Sequence, residues 1–199
     1  MTLDRFRSLA DRLLAPFLRG ALALGLSPDA VSVAAFLLAA GAAGAFYLGG
    51  IWYLAGALLV FSNGWLDLLD GALARELETD SRAGDLLDHV LDRYADVVIL
   101  AGLAAGIDRY ALGFAAVTGV LLTSYLGTQI EAIGMNREYG GLLGRADRLA
   151  LIGAVAAVAS VDPATGPLTI VGWLLAVLAV VGHVTALQRF VGASRALED

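Results

Sequence analysis

Apolar residues gather into long runs at about 28–47, 51–74, 84–105, 111–133, 146–161 and 168–191, with only short polar breaks between them. Each run approaches the roughly 20 apolar residues that a helix needs to cross the hydrocarbon core of a bilayer. The pattern predicts an all-α integral membrane fold with six transmembrane helices. The segment before them reads differently. "MTLDRFRSLADRLL" carries a charge every three or four residues and sets Leu3, Phe6, Leu9, Leu13, Leu14 and Phe17 on the opposite face. This is the periodicity of an amphipathic helix lying on the membrane surface, and it lacks the unbroken apolar core of a signal peptide. The expected organisation is one membrane domain over 1–199, with a surface helix at 1–24 and a six-helix bundle at 28–191.

The breaks set the orientation. "LSPDAVS" opens the first span with Ser27 as N-cap, Pro28 at the first helical position and Asp29 in the first turn. Gly49 and Gly50, then "GIDRY" and "DPATGP", supply turns on one side of the membrane and contain Arg109 alone among the arginines. Arg5, Arg7, Arg12, Arg19, Arg75, Arg82, Arg137, Arg145, Arg148, Arg189 and Arg195 fall on the other side, which the positive-inside rule assigns to the cytoplasm. Arg93 lies inside the third span. A multi-pass protein of the cell membrane is expected.

Composition agrees: 59% of the 199 residues are hydrophobic and 16% charged, against about 25% charged in a soluble domain. Cysteine is absent, which excludes disulfides, thiolate metal sites and cysteine nucleophiles. Every one of the 13 basic residues is arginine and the net charge is −6; this suits a GC-rich genome and a salt-loving source, and nucleic acid is not an expected partner.

Against that background, "DLLDGALARELETDSRAGDLLDHVLD" at 67–92 is anomalous. It occupies the end of the second span, a cytoplasmic loop and the start of the third. At about 100° per residue Asp67 and Asp70 share one helix face, and Asp85, Asp88, Asp92 and Asp96 share one on the next. Two acidic stripes are therefore expected to face each other across a hairpin. A carboxylate at the centre of a membrane helix costs roughly 2.5 to 3.5 kcal/mol on insertion scales, so a cluster of them requires positive compensation. Arg75, Arg82 and Arg93 are too few. Carboxylates without sulfur or a well-placed histidine are the ligand set of Mg²⁺, Mn²⁺ or Ca²⁺. His89 points about 100° away from Asp88 and reads as a packing or interfacial histidine.

The spacing is more specific than the charge. Asp67, Asp70, Gly71, Ala74, Arg75, Gly84, Asp88 and Asp92 satisfy D-x2-D-G-x2-A-R-x8-G-x3-D-x3-D at every position, for which chance at a given start is far below about one in a million. The sequence thereby resembles the CDP-alcohol phosphotransferase (CDP-alcohol phosphatidyltransferase) family of phospholipid-making membrane enzymes. "LSPDAVS" looks like that family's opening to the first span. "SYLGTQIEAIG" followed by "GRADRL" looks like the acceptor side of the phosphatidylinositol-phosphate and archaetidylinositol-phosphate synthase branch. Arg145, Arg148 and Arg189 match arginines of that branch, whereas Gly127 and Gln129 stand where it carries a lysine and an arginine.

The resemblance implies transfer of a phosphatidyl or archaetidyl group from CDP-diacylglycerol or CDP-archaeol to the hydroxyl of a phosphorylated polyol, with release of CMP. Inositol phosphate is preferred as acceptor and glycerol phosphate is the alternative. It implies two Mg²⁺ or Mn²⁺ ions held by Asp67, Asp70, Asp88 and Asp92, with Asp92 also the general base. Gly71, Ala74, Arg75, Ser81 and Gly84 would line the CDP-lipid site, with Ser27, Asp29 and Ser32 as its opposite lip; for Ser27 and Asp29 helix capping explains the residues equally well. Arg145, Arg148 and Arg189 would bind the acceptor phosphate, or else meet anionic headgroups as ordinary positive-inside arginines. A homodimer is implied too. A reading from another class is a cation transporter or channel with an intramembrane aspartate site.

Overall fold

The structure is a computed structural model that describes residues 7–79, 81–135, 143–161 and 168–198, with side chains from residue 12 onward. Seven helices account for nearly all of these residues: α1 (Arg7–Ala23), α2 (Pro28–Leu48), α3 (Trp52–Glu76), α4 (Arg82–Gly106), α5 (Tyr110–Ala132), α6 (Arg145–Ala159) and α7 (Ile170–Glu198). No strand occurs among the described residues. Helices α2 to α7 follow the six apolar runs.

Local chemistry starts and stops them. Ser27 Oγ accepts from the Ala30 N–H at 3.2 Å, and Ser81 Oγ accepts from the Gly84 N–H at 3.0 Å, so α2 and α4 both open on a serine cap. At α6 the Asp147 carboxylate accepts from the Gly144 N–H at 3.2 Å. The α2–α3 turn needs two consecutive residues of positive φ, 69° and 55°, supplied by Gly49 and Gly50.

Four helices, α2, α3, α5 and α7, are each long and apolar enough to cross a membrane, which makes this a multi-pass membrane protein. The other two have identifiable reasons for falling short. Helix α4 carries Arg82, Asp85, Asp88, Asp92, Arg93 and Asp96. Helix α6 has 15 residues, or about 22 Å at 1.5 Å per residue, less than a hydrocarbon core of about 30 Å. Both are packed against the apolar helices: α4 on α2 and α5, α6 on α3.

Helix α2 packs along both α3 and α4, and α5 packs along α7. Helices α3 and α4, consecutive in the chain, make almost no close contact with each other among the described residues. The expected hairpin is thus splayed by α2, and its acidic stripes border a cleft. Below the cleft Phe46, Val60, Ile99, Leu100, Leu103, Ile152, Leu175 and Leu178 form the dry core. Small residues bring the backbones together there. A Cβ added at Gly102 would stand 2.5 Å from the Ala43 carbonyl oxygen, and one at Gly182 would stand 2.7 Å from the Gly119 carbonyl carbon. Gly102→Val should therefore destabilise by about 1–3 kcal/mol, the cost of overpacking. Gly192→Ala, with nothing within 4 Å, should cost nothing. Thermal unfolding of both variants in detergent checks the contrast.

Helix α1 lies against α3. Leu14 and Ala21 are buried with Val31, Leu69 and Leu73, and the Phe17 ring meets Trp65 edge-on at 5.4 Å. Leu13 and Phe17 are exposed, but Leu14, expected on the lipid side, turns inward, because a residue about 100° around the helix from Leu13 faces α3. Leu3 and Phe6, the Leu9 side chain, Arg5, Arg137 and the "DPATGP" turn lie outside the described residues.

Candidate active site

Asp67 and Asp70 from α3 and Asp88 from α4 converge at the cleft, each offering a carboxylate oxygen within 4.8 Å of the others. Asp70 is buried and held at both oxygens: the Ser32 hydroxyl donates to Oδ2 at 2.7 Å and the Gly71 N–H donates to Oδ1 at 2.6 Å. Two anions at this separation repel by about 3 kcal/mol at an effective dielectric near 20. Three carboxylate oxygens on rigid helices, with no cysteine or histidine in the trio, fit a hard divalent cation. Asp92 lies outside that trio but is joined to it both by a direct side-chain hydrogen bond with Asp67 and by Arg145, whose guanidinium pairs with Asp67 and, at 2.7 Å, with Asp92.

Two cavities follow one another along α4. The first, of about 720 Å³, is lined by Gly84, Asp85 and Asp88 from α4, by Ser27, Asp29 and Ser32, and by Asp70, Gly71, Ala74, Arg75 and Ser81. Every residue expected at the CDP-lipid site thus borders one cavity. Glycine matters at Gly84, where a Cβ would come 3.2 Å from Ser81 Oγ and 3.3 Å from Asp29 Oδ1. Ser27 is both cap and cavity wall. Ser32, expected as a lip of the nucleotide site, spends its hydroxyl on Asp70.

The second cavity, of about 670 Å³, is lined by Asp92 and Arg93 from α4, Ser124 and Tyr125 from α5, Arg145 and Arg148 from α6, and Arg189 from α7. The three arginines of the expected acceptor pocket, far apart in sequence, therefore meet in one place. Arg148 is buried and bonds Asp96 at 2.8 Å, and Arg189 donates to the Thr123 carbonyl at 2.6 Å. Arg148 is thus no freely solvated headgroup anchor. His89 also borders this cavity, with Nδ1 hydrogen-bonded to the Asp85 carbonyl at 2.8 Å.

Sequence reasoning left out Arg93, Ser124 and Asp96. Arg93 donates to Ser124 Oγ and lies 3.6 Å from both Asp92 and Asp96. The signals were present: Ser124 opens the "SY" pair, and Asp96 stands one helical turn beyond Asp92 on the acidic stripe.

Comparison with known proteins agrees with this geometry. The family model described as CDP-alcohol phosphatidyltransferase matches residues 25–185. The phosphatidylinositol phosphate synthase of Mycolicibacterium smegmatis is 36% identical over 193 residues, covering 92% of this chain and 84% of that protein. The archaetidylinositol phosphate synthase of Methanothermobacter thermautotrophicus is 30% identical, covering 95% and 92%. Among solved structures, Mycobacterium tuberculosis phosphatidylinositol phosphate synthase with CDP-DAG bound aligns with a TM-score of 0.79 at 29% identity, covering 92% of this chain and 94% of that one. The same synthase in complex with manganese and citrate aligns at 0.78 and 29%, covering 90% and 88%. With a family match that takes in the carboxylate trio, the whole lining of the first cavity and that of the second except Arg189, the chain belongs to the CDP-alcohol phosphatidyltransferase family of membrane transferases.

Proposed function

We propose that the chain transfers the phosphatidyl or archaetidyl group of a CDP-lipid to the hydroxyl of inositol phosphate, releasing CMP. The observation that carries this reading is the succession along α4 of a small-residue cavity, a carboxylate trio and an arginine-lined cavity. A nucleotide diphosphate and a phosphorylated alcohol need those three environments in that order. The transporter alternative gives way to family membership.

In this reading Gly71, Ala74 and Gly84 keep the first cavity open for the cytidine, and Arg75 reaches the diphosphate with its fork. Asp67, Asp70 and Asp88 would hold Mg²⁺ or Mn²⁺, with Asp92 shared by a second ion. Bound there, the metals would neutralise the diphosphate and the CMP that leaves. Asp92 takes the proton of the acceptor hydroxyl, whose oxygen forms a bond to the lipid-side phosphorus as the bond from that phosphorus to the bridging oxygen breaks. Arg145, Arg148 and Arg189 grip the acceptor phosphate and orient its hydroxyl.

The same reading takes α2–α7 as six spans of one catalytic domain, α1 as a surface helix, and the acidic cleft as facing the cytoplasm at the plasma membrane, in a homodimer. The arginine distribution supports the orientation. An acceptor panel scored by CMP release tests the function. Inositol phosphate is expected to be the best substrate, glycerol phosphate weaker, and serine or free inositol inactive. Preference for glycerol phosphate would reassign the headgroup, and turnover with free inositol would overturn the phosphate-binding role of the arginines.

A further inference from the structure

We infer that Asp96, which lies outside the eight-position signature, is a positioning residue that holds the arginines of the acceptor site in their phosphate-gripping array. The inference rests on the acceptor reading above.

The Asp96 side chain is 3% exposed, and guanidiniums converge on it from two helices. Arg148 Nη2 lies 2.8 Å from Oδ2, Arg93 Nη1 lies 3.6 Å from the same oxygen, and Arg145 Nε lies 4.0 Å from Oδ1. Arg148 compensates the buried carboxylate at hydrogen-bond distance, Arg93 lies close by, and Arg145, paired with Asp67 and Asp92, flanks it. The arrangement has a direction: all three arginines line the 670 Å³ cavity, whereas Asp96 is absent from its lining.

Arg145 and Arg148 also sit in the first turn of α6, the positive end of its dipole, where cations are disfavoured. An anion behind them offsets both that dipole and their mutual repulsion. Asp96 engages one nitrogen of Arg148, while Arg148 Nε is buried with no hydrogen-bond partner. The fork is thereby held at one nitrogen without being saturated. Asp96 is also one turn from Asp92 on α4, so the arginine array and the proposed base are registered by a single rigid helix.

Kinetics of purified enzyme with inositol phosphate and CDP-diacylglycerol test the role. Asp96→Asn should raise KM for inositol phosphate about tenfold or more, the scale on which supporting partners of ligating groups act, and change KM for the CDP-lipid less than about twofold. Equal rises in both KM values would overturn the inference. A second comparison avoids leaving Arg148 as an uncompensated buried charge: Arg148→Gln against Arg148→Gln/Asp96→Asn. If Asp96 acts through the arginines, the two share the same acceptor KM within about twofold. A further tenfold rise in the double variant would refute it. Wild-type enzyme that ignores phosphorylated acceptors would instead refute the acceptor reading itself, so the two failures are distinguishable.

Discussion

Asp92→Asn should reduce CMP release by about 10³- to 10⁴-fold, the upper range for removal of a general base, while CDP-lipid binding remains measurable. The geometry separates the two effects. Asp92 borders the arginine-lined cavity and is absent from the lining of the other cavity, so the substitution leaves that lining and the Asp67, Asp70 and Asp88 trio in place. Its carboxylate is engaged by Arg145 at 2.7 Å and by Arg93 at 3.6 Å, contacts that fix its position at the mouth of the arginine-lined cavity. Asparagine keeps the shape and removes the basicity. Single-turnover CMP release together with equilibrium binding of the CDP-lipid checks both halves. A variant retaining more than about a tenth of wild-type turnover would remove Asp92 from the role of base.

Asp70→Ala should be as damaging by a different route, abolishing measurable turnover and weakening Mn²⁺ binding by more than about tenfold. Asp70 is the most constrained of the trio, buried and held at both oxygens by Ser32 and Gly71. Such a carboxylate gives up little rotamer entropy when it ligates a metal, and removing it takes away one ligand and one negative charge together. Chelator-treated wild-type enzyme should lose activity and recover it with Mg²⁺ or Mn²⁺; Asp70→Ala should not recover at any accessible concentration. Ser32→Ala, which frees one Asp70 oxygen but keeps the ligand, should fall between the two. Unchanged Mn²⁺ affinity in Asp70→Ala, read directly by calorimetry or electron paramagnetic resonance, would remove Asp70 from the metal site.

Much of the fold is written in periodicity. The apolar runs locate α2 to α7 to within a few residues, and Ser27, Pro28 and Asp29 mark the start of α2 because capping is local chemistry that depends on adjacent residues alone. The relation between α3 and α4 was not legible in this way. Their charge stripes predict a facing hairpin, and Asp67, Asp70 and Asp88 do meet, but across a cleft and not along a packed helix pair, since α2 lies along both helices, where Gly102 and Ala43 allow α2 and α4 to approach backbone to backbone. That choice depends on the complementarity of surfaces some 60 residues apart. The inward turn of Leu14 has a similar origin, in a packing surface that only α3 provides.

At the site the division is sharper. Asp67 and Asp70 on α3, and Asp88 and Asp92 on α4, are legible because helical spacing puts each pair on one face of its helix, and Gly71, Ala74, Arg75 and Gly84 are legible through the signature that the sequence shares with the family. Arg145, Arg148 and Arg189 can be named from the sequence, but their meeting with Arg93 and Ser124 in one cavity cannot. Neither can the convergence of three arginines on Asp96. The sequence by itself determined a helical membrane protein with an acidic face, since helix periodicity and the cost of charge in lipid are properties of contiguous residues, and its eight-position signature carried the resemblance to a transferase family. The tertiary structure alone decided which distant cations neutralise which carboxylates, because that depends on how α4, α5, α6 and α7 pack, and pairing energies fall off within a few ångströms.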